Sequence, residues 1–253
     1  MSAAQNHNYR MNVQYDGTRY KGWQIQNSTT ETIQGKLETL LSRLLQEPVQ
    51  VIGSGRTDAG VHAIGQVANF HTERAMDSRQ LLEEINHYLP EDIAVTALEE
   101  VDERFHARFQ ALNKTYRYRI HTGEVSNVFE RKYVYHYQGQ QLDAEKMRLA
   151  AKALLGEHDF RSFCGNRHIK KSTIRTVTDI QITQKENEIF IDFTGDGFLQ
   201  NMIRIMTGTL IEIGNGTKEV QDMKAILDRK DREAAGYTVP PQGLCLMQVN
   251  YEN

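Results

Sequence analysis

The apolar residues of this chain switch repeatedly between a period of two and a period of about 3.6, the signatures of strand and helix. Tyr9, Met11, Val13 and Tyr15 alternate with polar residues as one face of a strand does, and Asp16-Gly17 ends that run in a turn. Ile33, Leu37, Leu40, Leu41, Leu44 and Leu45 then trace a helical stripe, with Thr29 or Thr30 as its expected cap and Pro48 as its stop. Strands are expected at residues 49–52, 67–70 and 93–98, with a helix carrying Leu81, Leu82, Ile85, Tyr88 and Leu89 between the last two.

A related order follows. Strands are expected at residues 115–120 and 133–137, the latter presenting Tyr133, Tyr135 and Tyr137 on one face. Met147, Ala150, Ala151, Leu154 and Leu155 mark a helix closed by Gly156, and residues 177–182 and 189–194 form a strand pair. An apolar helix over 198–213, a short helix over 220–227 and a strand over 244–249 complete the chain.

Strands that alternate in hydrophobicity point to antiparallel sheet covered on one face, so the expected class is α+β. The halves read as diverged copies of one β-α-β-β-α-β unit, residues 1–110 and 111–253, sharing a continuous sheet. With 253 residues, the chain can bury a substantial core in one large or two modest domains.

Composition narrows the class further. The chain is 39% hydrophobic and 25% charged, without an apolar run approaching the roughly 20 residues of a membrane span. Its start, MSAAQNHNYR, carries neither a basic region nor an apolar core of a leader, so a cytoplasmic location is expected. Two cysteines are too few for a disulfide framework or thiolate metal site. His62 and His71 with Asp58 match no standard metal spacing, so no metal and no cofactor are expected. A net charge of -3 gives no support to nucleic-acid binding, yet the charge is segregated. Arg104, Arg108, Lys114, Arg117 and Arg119 form one basic run without acids, and Arg161, Arg167, Lys170, Lys171 and Arg175 form another.

The sharpest local feature is Gly53 to Ala63, GSGRTDAGVHA, just past an expected strand. By itself, Asp58 reads either as a turn or helix-cap former or as a carboxylate held for chemistry. Phosphate binding is disfavoured, because the glycines lack a G-K-[ST] ending and carry a carboxylate. Elsewhere, Phe105-His106-Ala107-Arg108-Phe109 and Lys114-Thr115-Tyr116-Arg117-Tyr118 alternate aromatic and basic residues, a pattern of RNA stacking or of a solvated edge strand. Arg204 sits within an apolar helix, where it must reach solvent or find a carboxylate.

Gly55-Arg56-Thr57-Asp58-Ala59-Gly60-Val61-His62-Ala63 resembles the signature of the tRNA pseudouridine synthase A family. The resemblance continues in matching order through Tyr15-Asp16-Gly17, Gly22-Trp23-Gln24, Gly65-Gln66-Val67, Phe105-His106-Ala107-Arg108, Tyr116-Arg117-Tyr118, His158-Asp159-Phe160, Met202-Ile203-Arg204 and Gly243-Leu244. It implies two ferredoxin-like halves forming a continuous, curved, largely antiparallel sheet, with helices on one face and a central cleft. It also implies isomerisation of uridine at tRNA positions 38, 39 and 40 in the anticodon stem-loop by a homodimer.

That reaction breaks the N1–C1′ bond, turns the uracil and rejoins it through C5. Glycosidases use two carboxylates, but uracil leaves as a delocalised anion, so one suffices. The resemblance assigns the carboxylate to Asp58, acting on C1′ or on a sugar proton, with Arg204 as its cationic partner. Tyr116 corresponds to the ring stacked on uracil, with a hydroxyl near C5, and Leu244 to the opposite apolar wall. Arg56 corresponds to the residue that props the flipped nucleotide; Gln66 and His62 are supporting. The segment 123–131 carries no family motif. A second reading keeps the fold as a tRNA-binding protein or RNA chaperone without essential catalysis, and a third, a nucleoside hydrolase, predicts free uracil.

Overall fold

The computed structural model describes residues 6–252; residues 1–5, part of the segment read above for a leader, lie outside them. The chain divides into two compact units, Met1–Leu112 with Leu246–Asn253, and Asn113–Cys245.

The first unit runs β1 (His7–Tyr15), α1 (Ile33–Leu45), β2 (Val51–Gly53), β3 (His62–Thr72), α2 (Ser78–Tyr88) and β4 (Ile93–Val101). Its strands lie in the order β4-β1-β3-β2, every pair antiparallel. The alternation in β1 fixes its register: Tyr9 faces Phe70 and Glu100, and Tyr9, Met11, Val13 and Tyr15 are buried together. Helix α1 buries Ile33, Leu37, Leu40, Leu41 and Leu45, and α2 buries Leu81 and Ile85. Each such side chain contributes about 1.5–3 kcal/mol on leaving water.

The second unit holds most of β5 (Ala111–His121), then β6 (Tyr135–His136), α3 (Ala144–Ala151), β7 (Gly156–Asp159), β8 (Ile174–Lys185), β9 (Glu188–Gly195), α4 (Met202–Gly214), α5 (Asp222–Arg229) and the start of β10 (Leu244–Tyr251). Residues 246–251 of β10 belong to the first unit, where the strand neighbours β3. Strands β5, β9, β8 and β7 are neighbours in that order, all antiparallel. The order β5-β9-β8 repeats β1-β3-β2 of the first unit, with a helix after the first strand and another after the third in both. The fold is therefore α+β, with largely antiparallel sheet; β6 pairs parallel on β5. Among the described residues no helix is long and apolar enough to cross a membrane.

Several local expectations are corrected. The cap of α1 is Thr32, whose hydroxyl accepts from Gly35 N–H at 3.2 Å, while Thr29 turns the chain by accepting from Glu31 N–H. The strand at 133–137 shrinks to β6, because Tyr133 closes a turn onto Glu130 O. Helix α4 starts at Met202, not at 198, since Asn201 is left-handed (φ 59°) and interrupts any earlier turn. Strand β7 was not expected. Gly156, read as the helix stop, has φ 99° and opens that strand instead.

Candidate active site

The GSGRTDAGVHA loop connects β2 to β3, and a second stretch, residues 15–24, clamps it. Tyr15 and Thr57 share a hydroxyl bond of 2.8 Å, Trp23 N–H donates to Thr57 O at 3.1 Å, and Gly60 N–H donates to Tyr20 O at 3.3 Å. Trp23 is 2% exposed and lies against Gly53 so closely that a Cβ there would meet its ring at 2.5 Å. Trp23 is thus the back wall of the loop. Gly22 (φ 98°) brings that wall within reach of Thr57 O, where a side chain would sit 2.6 Å from the oxygen.

From the strand side, Ser54 N–H donates to Val67 O at 2.7 Å and the Ser54 hydroxyl to Gln66 Oε1 at 2.7 Å. Gln66 Nε2 donates to Gly55 O at 3.0 Å. Gln66 is fully buried, so both ends of its amide anchor the loop. His62 is also buried; its Nδ1 accepts from Gly17 N–H at 3.0 Å. That bond occupies the Nδ1 lone pair, so the ring proton belongs on Nε2. The 3.3 Å approach of Asp16 Oδ1 to the same nitrogen is accordingly not a charge pair.

Asp58 lies in the middle of this frame, partly buried. Its turn closes through the backbone, Val61 N–H to Asp58 O at 3.2 Å, and the chain passes directly into β3 without a helix. Helix capping is excluded, because no helix follows. Arg56 is exposed, with Nε donating to Gln24 Oε1 at 2.9 Å.

The second unit holds the remaining expected residues. Tyr116 on β5 is 6% exposed, stands opposite Phe193 and meets Phe198 edge-on at 5.4 Å. Arg204, in the first turn of α4, donates from Nε to Val239 O at 2.8 Å and from Nη1 to Asn201 Oδ1 at 2.9 Å. The Tyr118 hydroxyl donates to the adjoining Pro240 O at 2.7 Å, and burial pushes that phenol's ionisation far up, against the weaker pull of the Arg204 cation. Gly243 packs against the Tyr118 ring, and Leu244, 5% exposed, follows at once. Tyr118 and Arg204 therefore fix the segment that delivers Leu244.

The basic runs divide. Arg117 makes two bonds to Asp192 (2.7 and 2.8 Å), and Arg119 pairs with Glu188 and Glu130, so both guanidinium groups are held by carboxylates of their own unit. Phe105 packs on Tyr251 with Arg10 above both rings. Only Phe109, 78% exposed and stacked on His106 at 4.1 Å, keeps the character of an open ring. Sequence reading missed Gln24 and Asn201. The first was visible as the last residue of Gly22-Trp23-Gln24, whereas nothing in the sequence marks Asn201 as left-handed.

A rigid, carboxylate-bearing loop on an α+β frame defines the class of site, and comparison with known proteins supplies its kind. A family model described as tRNA pseudouridine synthase matches residues 11–110 and 150–252, leaving 111–149, with Tyr116, between its two segments. Relatives include tRNA pseudouridine synthase A 1 of Clostridium tetani, 45% identical over 96% of this chain and 99% of its own. Those from Bacillus sp. (46%; 96% and 99%) and Citrifermentans bemidjiense (45%; 97% and 98%), both called tRNA pseudouridine synthase A, are similarly close. The chain belongs to the tRNA pseudouridine synthase family, isomerases that act on uridine in tRNA.

Proposed function

We propose that this enzyme converts uridine to pseudouridine at positions 38, 39 and 40 of the tRNA anticodon stem-loop, with Asp58 as its essential carboxylate. The observation that carries the reading is the loop itself. Backbone bonds, Thr57, Ser54 and Gln66 hold it in one shape, with Asp58 partly buried in its middle. A carboxylate carried on a loop fixed this firmly is held in place for chemistry.

The target nucleotide leaves its stack at a cost of a few kcal/mol. Asp58 then acts at C1′, as nucleophile or as base toward a sugar proton, while uracil departs as an anion. Arg204, oriented by Val239 O and Asn201, keeps Asp58 ionised. Tyr116 stacks on the uracil with its hydroxyl toward C5, Leu244 closes the opposite side, and Arg56 holds the everted conformation. Gln66 and His62 hold the loop. The enzyme works as a cytoplasmic homodimer.

Asp58→Asn tests this directly, with pseudouridine mapped in tRNA treated with the purified protein. Formation should fall by about a thousandfold or more, while tRNA binding and thermal stability persist. Full-rate product from the variant overturns the assignment. Free uracil from the unaltered protein would instead establish a hydrolase.

A further inference from the structure

We infer that Gln24 is a positioning residue for Arg56, and that the backbone of an edge strand decides which end of the Gln24 amide meets the guanidinium. This rests on the role proposed above for Arg56.

Among the described residues, strand β2 pairs with β3 on one side only. On its other side Val51 N–H donates to Glu38 Oε1 at 2.9 Å, and Val51 O accepts from Gln34 Nε2 at 3.1 Å. Two side chains of α1 thus cover the strand's open backbone groups. Gln34 Nε2 also donates to Glu38 Oε1 at 2.8 Å, so both of its amide hydrogens are placed. Its Oε1 must then face the other way, where it accepts from Ile25 N–H at 3.1 Å and Gln24 Nε2 at 2.9 Å. Gln34 has all four of its hydrogen-bonding sites filled, which leaves its orientation without ambiguity.

The consequence passes outward. Since Gln24 must give its NH₂ to Gln34, its oxygen is left to point at Arg56 Nε, at 2.9 Å. The bonds run in one direction, from guanidinium through two amides to the Glu38 carboxylate, so each polarises the next. With Nε held, a planar guanidinium directs its two Nη groups outward together, as a fixed fork instead of a mobile point charge. Arg56 is exposed, and a long exposed side chain without this anchor samples many rotamers. Gln24 therefore restricts where the fork of Arg56 can stand.

The test is a double-mutant cycle on Gln24→Leu and Arg56→Met. Single-turnover pseudouridine formation, tRNA binding and melting temperature are measured for each variant. Gln24→Leu should slow turnover about tenfold in the Arg56 background, with tRNA affinity changed less than twofold, and should have no effect once Arg56→Met is present. Equal losses in both backgrounds mean that Gln24 only supports the fold, and overturn the inference. So does an unaffected Gln24→Leu when Arg56→Met is slow. If Arg56→Met itself is fully active, the role assigned to Arg56 fails and the inference with it.

Discussion

Gly17 and Val61 touch through their backbones: a Cβ on Gly17 would stand 2.0 Å from Val61 O, and Gly17 N–H meanwhile donates to His62 Nδ1. The turn after β1 and the end of the Asp58 loop are thus pressed together with no room for a side chain. Geometry around the carboxylate depends on a residue far away in sequence.

Gly17→Ala should therefore disturb Asp58 without touching it. Displacing Val61 costs about 1–3 kcal/mol, the usual scale for overpacking. Single-turnover rate should fall by more than the stability loss accounts for when both are measured below the melting transition. An alanine variant of normal activity would show that the loop tolerates displacement.

On the other unit, Asn201 makes a parallel case for Arg204. Its left-handed backbone suits glycine, so Asn201→Gly keeps the turn and removes the Oδ1 acceptor of Nη1 together with a contact on Gly165. Activity is expected to fall about tenfold, the scale of a charge-assisted hydrogen bond, with melting temperature little changed. Arg204→Met should be far more damaging to activity than to folding, because methionine suits a largely apolar helix. If unfolding dominates in calorimetry, the guanidinium serves the fold.

Tyr116→Phe separates stacking from proton transfer. The ring and its contact with Phe198 survive, while the hydroxyl assigned to C5 is lost. Detachment of uracil should continue and removal of the C5 proton should become limiting. A kinetic isotope effect with C5-deuterated uridine in tRNA should then appear in the variant. Its absence, with the rate unchanged, removes the hydroxyl from the mechanism.

Acid sensitivity should map in part to Asp159. Burial acts to raise its ionisation, but the Thr173 hydroxyl, Lys230 and the Arg161 N–H outweigh that and hold the carboxyl below its ordinary value. A depressed folded value stabilises fully above the unfolded-chain value of about 3.9, and the contribution is lost as pH falls through the folded value. Asp159→Asn should cost about 1–2 kcal/mol at neutral pH. The gap between variant and parent should close on titration toward pH 2, followed by chemical denaturation. A gap independent of pH would assign the effect to packing.

The sequence reached different depths in different places. Alternation in β1 and the stripe in α1 were legible because both elements bury one face, and burial leaves its period in the residues. Helix α4 is buried on nearly every side, so its pattern could not show where it begins, and a left-handed Asn201 made that decision. Tyr133 carried the right alternation for a strand, yet its backbone bond went to a turn. Arg117 and Arg119 shared the composition of an RNA-binding run until Asp192, Glu130 and Glu188 were found opposite them.

What the sequence determined by itself was the class of fold and the family whose loop motif carries Asp58, since periodicity and a nine-residue motif are both local. Only the tertiary structure decided how that loop is held. Gly17, Trp23, Gln24 and Gln66 act on it through backbone approach and hydrogen-bond direction, and those depend on where distant segments come to rest.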